Sequence, residues 1–275
     1  MARPIINSPR MLRTGQPLTL EQIKSVAPAV FASGPHESRG PRYAYVPTIA
    51  PLQTLLDSGW HVYEAAQQRA RAADRDPYTK HMLRMRKESL TKHTDGVPEV
   101  ILINGHDGSA SYRLIAGYFR FVCCNGLMVG SHISSFTVRH TVGPQTSDEV
   151  LRAGEKTITE KFPAMMEQME KWRKITLSDA AAYSLAKTAV QLRYGDTVPP
   201  FKPAELLLVR RDADRAPTLW NTLNRIQENI MGGGWETRSA MFGRKSTVRP
   251  VERVSAVAKI NGGLWDAAFQ LAEEA

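Results

Sequence analysis

At 275 residues, 42% of them hydrophobic, the chain is long enough for one large domain or two small ones and apolar enough to fold around a packed core. Its 36 Lys and Arg against 27 Asp and Glu leave a formal net charge of +9, which favours an anionic partner such as nucleic acid or a membrane surface. No apolar run reaches the roughly 18 residues of a transmembrane helix, the first 18 residues lack a signal-peptide core, and two adjacent cysteines exclude a disulfide framework. A cytoplasmic setting with reduced thiols is expected.

The charge is uneven. Residues 1–140 hold 17 basic and 10 acidic residues, and residues 141–275 hold 19 and 17, so the excess of +7 lies in the first half. Thr19 opens a helix over "TLEQIKSVAPAVF", because Thr19 and Gln22 have capping-box spacing. Residues 34–42 read as a polar loop, "YAYVPTI" as a short strand stopped at Pro47, and "APLQTLLDSG" as a helix with Gly59 past its end. From Trp60 the pattern turns to strands. In "YTKHMLRMRK", His81, Leu83 and Met85 share one face, while Tyr78, Lys80, Arg84 and Arg86 share the other. "PEVILING" reads as a central strand, followed by "YRLIAGYFRFVC" and "HISSFTVRH". Asp107–Gly108 between two apolar runs predicts a hairpin, since such turns need positive φ.

Beyond Gly143 the texture is helical. A second capping box joins Thr146 and Glu149, and Pro163 divides the helix that follows. Further helices run from Ser178 to Gly195, over "APTLWNTLNRIQENIMGGG", and over "VSAVAKINGGLWDAAFQLAEEA", the last with a break at Gly262–Gly263. The expected fold is α+β: an antiparallel sheet of about five or six strands in the N-terminal half, followed by packed helices. Residues 1–143 form the sheet-containing basic region. Residues 144–275 form the mainly helical region, with a basic connector at 236–254, packed on the sheet as one unit.

Chemistry-bearing motifs are sparse. Cys123 and Cys124 alternate at a strand end, so at least one belongs to the core, and nothing local lowers a thiol pKa. The seven histidines show no metal-ligand spacing, and "GGGWETRS" lacks the Gly-Lys-Ser/Thr ending of a phosphate loop. No catalytic residue, metal or cofactor is expected. The basic clusters are more informative. Arg69, Arg71, Lys80, Arg84 and Arg86, with Tyr63 and Tyr78, combine cations with aromatic rings, a pattern that suits single-stranded nucleic acid. A solvated sheet face gives the same pattern. Arg244, Lys245 and Arg249, with Arg238 and Arg253, form a second cluster in the connector, suited to wrapping a phosphate backbone.

Four strings, "HESRGPRYAYVPT", "YTKHMLRMR", "PEVILINGHDGSASYRLIAGYFRFVCCNGL" and "LWNTLNRIQENIMGGG", resemble the YafZ/YfjQ-type family of prophage and plasmid proteins, a family with a domain of unknown function. The resemblance spans about Pro17 to Trp265. This chain has Gly105 where the family tends to carry Ser. The resemblance implies a mobile-element setting and no catalytic residue. The reading is therefore a nucleic-acid-binding accessory protein, with single-stranded DNA favoured, acting in annealing, recombination, replication or transfer. The alternative is a protein-interaction module whose basic face docks an acidic host protein, and a homo-oligomer is compatible with either.

Overall fold

The computed structural model describes residues 10–90, 95–121, 125–130, 135–141, 148–238 and 245–274. Cys123, Cys124, Thr146 and Arg244 lie outside the described residues. The chain divides into two compact units, Met1–Phe121 with Ser134–Phe162, and Val122–Ile133 with Pro163–Ala275.

The first unit is built on six antiparallel strands. Strands β1 (Arg10–Arg13), β2 (Trp60–Gln67), β3 (His81–Lys87), β4 (Gly96–Asn104) and β5 (Tyr112–Arg120) lie side by side in chain order. Strand β6 (Asn125–Met128) falls in the second unit, and β7 (Ser135–Val138) pairs with β5. Helices α1 (Leu20–Val26), α2 (Ile49–Asp57) and α3 (Asp148–Thr159) complete this unit. The Thr19–Gln22 capping box forms as its spacing predicts, with Thr19 accepting from the Gln22 N–H. One face of the sheet carries Leu83, Met85, Val100, Leu102 and Leu114 in register. Helix α3 closes on it at Gly154, where a Cβ would lie 2.8 Å from Leu114 Cδ1. Trp60 Nε1 donates to Glu155 of α3 at 2.6 Å. A bulge between Val62 and Glu64 shifts the register of β2 against β3. Beyond it Ala65 and Ala66, on opposite faces, are both buried, so both faces of the strand are covered there.

The second unit holds α4 (Phe162–Trp172), α5 (Asp179–Tyr194), α6 (Leu219–Gly232) and α7 (Val254–Glu273), with the hairpin β8 (Glu236–Arg238) and β9 (Lys245–Thr247). Trp172 and Trp265 meet at 4.5 Å in its core. Ser178 caps α5 by accepting from the Ala181 N–H, and Gly195 ends it at φ +58°. The α3–α4 division falls at Pro163 as expected.

Three local expectations are corrected. "YAYVPTI" is not a strand, since Tyr43 makes an isolated bridge to Thr141 and the rest runs irregularly to α2. Helix α7 runs unbroken through Gly262–Gly263. A Cβ at Gly263 would lie 2.5 Å from Leu192 Cδ2, so the glycine serves close helix packing instead of a break. The connector contains the β8–β9 hairpin, too short to declare itself by period.

Candidate functional site

The basic face expected on β3 is not a surface. Arg84 and Arg86 are 1% and 7% exposed. Both bind the fully buried Glu99 of β4. Arg84 Nε donates to Glu99 Oε2 at 2.7 Å, and Arg86 Nε donates to Oε1 at 2.8 Å. The Arg86 guanidinium is held between Phe119 at 3.5 Å and Tyr63 at 4.5 Å. The alternation was right, but both faces of this strand are covered. These two arginines therefore form a buried ion-pair network.

The remaining predicted residues separate by position. Arg69 and Arg71 are exposed on the β2–β3 loop, and Tyr78 and Lys80 are half-buried at its end. Lys245 is exposed on β9, 3.8 Å from Glu236, and Arg249 is exposed beyond it. Among the described residues, the connector is thus a hairpin with a weakly paired lysine.

The densest constellation lies at the end of the sheet where β2 and β4 finish and β3 and β5 begin. The β4–β5 connection is the predicted hairpin, with Gly108 at φ +81° and Asp107 Oδ1 accepting from the Ser109 N–H at 3.0 Å. Its loop, 105–111, is longer than a two-residue turn. The His106 N–H donates to the Tyr78 carbonyl, and the His36 N–H donates to the His106 carbonyl. Three segments distant in sequence are thereby tied together. They come from three of the strings that carry the family resemblance.

Beneath these loops lies a buried polar centre. Asn104 Nδ2 donates to the Val46 carbonyl and to Thr48 Oγ1, each at 3.0 Å. His81 Nδ1 faces the Thr79 carbonyl at 3.0 Å and must donate to it, so Nε2 accepts the Thr48 hydroxyl proton at 2.8 Å. His106 Nε2 then donates to the same oxygen at 3.3 Å. His106 Nδ1 has no well-aligned partner, although the Ala29 carbonyl lies close enough to act on it. Burial pushes His81 down to about 4, and burial with the neighbouring His81 and His140 pushes His106 down to about 3. Both rings are neutral at pH 7. Tyr43 stacks on His140 at 4.8 Å and 7°, and its hydroxyl donates to the Gly105 carbonyl at 3.1 Å. Burial, then the Asp107 charge, raises the Tyr43 phenol.

Cations rim this centre. Arg39 packs on Gly108, where a Cβ would collide with its Nη1. Lys80 lies within electrostatic reach of Asp107 and Arg113, and burial lowers its pKa while Asp107 opposes the shift. Segments 32–48, 67–81, 104–113 and 138–141 hold eight basic and four acidic residues, a net of +4. All eight basic residues are exposed or half-buried. Sequence reading missed Arg39, Lys80 and Arg113 as a group because they come from three separate loops and strands.

Comparison with known proteins gives the family. The chain is 38% identical over 255 residues to the UPF0380 protein YafZ of Escherichia coli (strain K12), covering 93% of this chain and 92% of that protein. The UPF0380 protein YfjQ of the same strain matches to the same extent. No solved structure matches the chain. The family described as Domain of unknown function (DUF932) matches residues 35–261, a span that takes in the loop-end constellation, and this chain belongs to it.

Proposed function

We propose that this protein binds single-stranded nucleic acid along the loop end of its sheet, as an accessory factor in recombination, replication or transfer of a mobile element. The observation that carries the reading is the convergence of Arg39, Lys80 and Arg113 around Asp107, beside Tyr43. Cations interleaved with aromatic rings suit a single strand, because the charges follow phosphates and the rings meet bases. Arg69 and Arg71 extend the positive surface along the β2–β3 loop, whose Gln68 N–H bonds the Lys80 carbonyl at 2.8 Å. Arg84 and Arg86, paired with Glu99, take no part in it. The overall charge of +9 adds long-range attraction.

Fluorescence anisotropy with single- and double-stranded oligonucleotides of equal length at low salt is the test. Tighter binding of the single strand is expected. No binding of either at low salt overturns the reading.

A further inference from the structure

We propose that Ser38, His36 and Asp74 form a nucleophile site for phosphodiester bonds, resting on the nucleic-acid reading above, which supplies the substrate. Ser38 Oγ lies 2.8 Å from His36 Nδ1, and the Ser38 backbone N–H donates to the same nitrogen at 3.1 Å. Nδ1 therefore carries a lone pair, and the ring proton sits on Nε2, directed at Asp74 Oδ2 at 3.2 Å. This is the polarity of an activated hydroxyl: carboxylate, oriented imidazole, serine. His36 is 4% exposed and its ring is held edge-on by Tyr78 at 5.3 Å, whereas Ser38 faces solvent. Arg39 Nη2 donates to Ser38 Oγ at 3.1 Å, and Arg39 Nε has no hydrogen-bond partner. The nucleophile thus adjoins a guanidinium at the positive end of the sheet, where a phosphate is drawn.

A divalent cation is the rival occupant, because His36, Glu37 and Asp74 present ligand atoms within 4.8 Å of one another. Ligation through Nε2 would move the ring proton to Nδ1, against the bond from the Ser38 N–H. The geometry points to the nucleophile.

The step balances without a further reagent. Ser38 Oγ attacks phosphorus as its proton passes to His36 Nδ1. The Oγ–P bond forms, the P–O bond to a sugar oxygen breaks, and that oxygen leaves with the proton from Nδ1. Water or a second sugar hydroxyl then attacks the phosphoserine diester as His36 Nδ1 takes its proton. The Oγ–P bond breaks, and Ser38 Oγ leaves with that proton from Nδ1. Asp74 is a positioning residue that steadies the imidazolium, and Arg39 offsets charge on the phosphoryl oxygens.

The experiment incubates the full chain with an end-labelled single-stranded oligonucleotide, resolves it under denaturing conditions, and maps any adduct by peptide mass. Binding is measured in parallel. A covalent label on Ser38 is expected, absent in Ser38→Ala, which keeps the fold because the side chain is exposed. His36→Gln, checked for folding by thermal melt, slows adduct formation by about 100-fold or more. Asp74→Asn slows it less, and Asp74→Glu restores it, which a loop-tethering role alone does not explain. A strand bound but neither cleaved nor attached overturns the nucleophile and leaves the binding reading standing. Cleavage that persists in Ser38→Ala also overturns it. Absence of binding removes both.

Discussion

Both ring nitrogens of His140 face oxygen acceptors: Nε2 lies 2.9 Å from Asn104 Oδ1, and Nδ1 lies 3.0 Å from the Ala44 carbonyl. The Asn104 amide is not free to turn, because Nδ2 donates to Val46 and Thr48 while Oδ1 accepts from the Gly105 N–H at 2.8 Å. Only an imidazolium donates to both acceptors at once. Burial opposes that charge and lowers the pKa, and the Ala44 carbonyl works against the shift. Among the three rings of this centre, His81, His106 and His140, His140 should therefore take its second proton at the highest pH. Histidine ring titration by NMR checks the order: His140 first, His81 at about 4 and His106 at about 3. His106 titrating first would contradict the assigned bonds.

The same centre makes the fold acid-sensitive. Folded pKa values of about 4 and about 3 lie below the ordinary 6.5. The unfolded chain thus binds more protons between these limits, and stability falls as pH drops below about 6.5. Each buried histidine costs up to about 1.4 kcal/mol per pH unit over that window. Denaturant melts at pH 7, 6 and 5 should show a growing loss. His81→Gln and His106→Gln together should flatten the curve.

Arg84, Arg86 and Glu99 are a stability element. Leaving one partner of a buried ion pair uncompensated costs about 3–5 kcal/mol. Glu99→Gln leaves two buried guanidinium groups without their carboxylate, so a large fall in melting temperature is expected. Arg84→Ala with Arg86→Ala should destabilise the fold comparably. A variant that melts like the parent would show these side chains to be solvated.

Gly108→Val should destabilise by about 1 kcal/mol or more, because a β-branched residue resists φ +81° and its Cβ would meet Arg39. Gly108→Asn, which tolerates positive φ better, separates the backbone effect from the contact with Arg39.

Much of the fold was legible because its signals are local. The Thr19 and Ser178 caps, Gly195, Pro163 and the Asp107–Gly108 turn each act within a few residues, and each sits where its chemistry demands. Alternation placed Arg84 and Arg86 on one side of β3. It says nothing about what covers that side, and Glu99 lies 15 residues from Arg84 in sequence. The site was less legible still. His36 and Asp74 are 38 residues apart, and Asn104 and His140 are 36 apart. No spacing rule reaches that far. Gly262–Gly263 misled because a helix-breaking residue is also the residue that lets two helices touch.

The most direct test of the central claim is the salt dependence of single-strand binding for the parent chain and for Arg69→Ala with Arg71→Ala. Both arginines are exposed, so the double variant should stay folded. Each lost phosphate contact reduces the log–log salt slope by about 0.7 for a single strand, so a slope shallower by about 1.4 is predicted, with weaker binding at every salt concentration. An unchanged slope and affinity would contradict the loop end as the phosphate-binding surface.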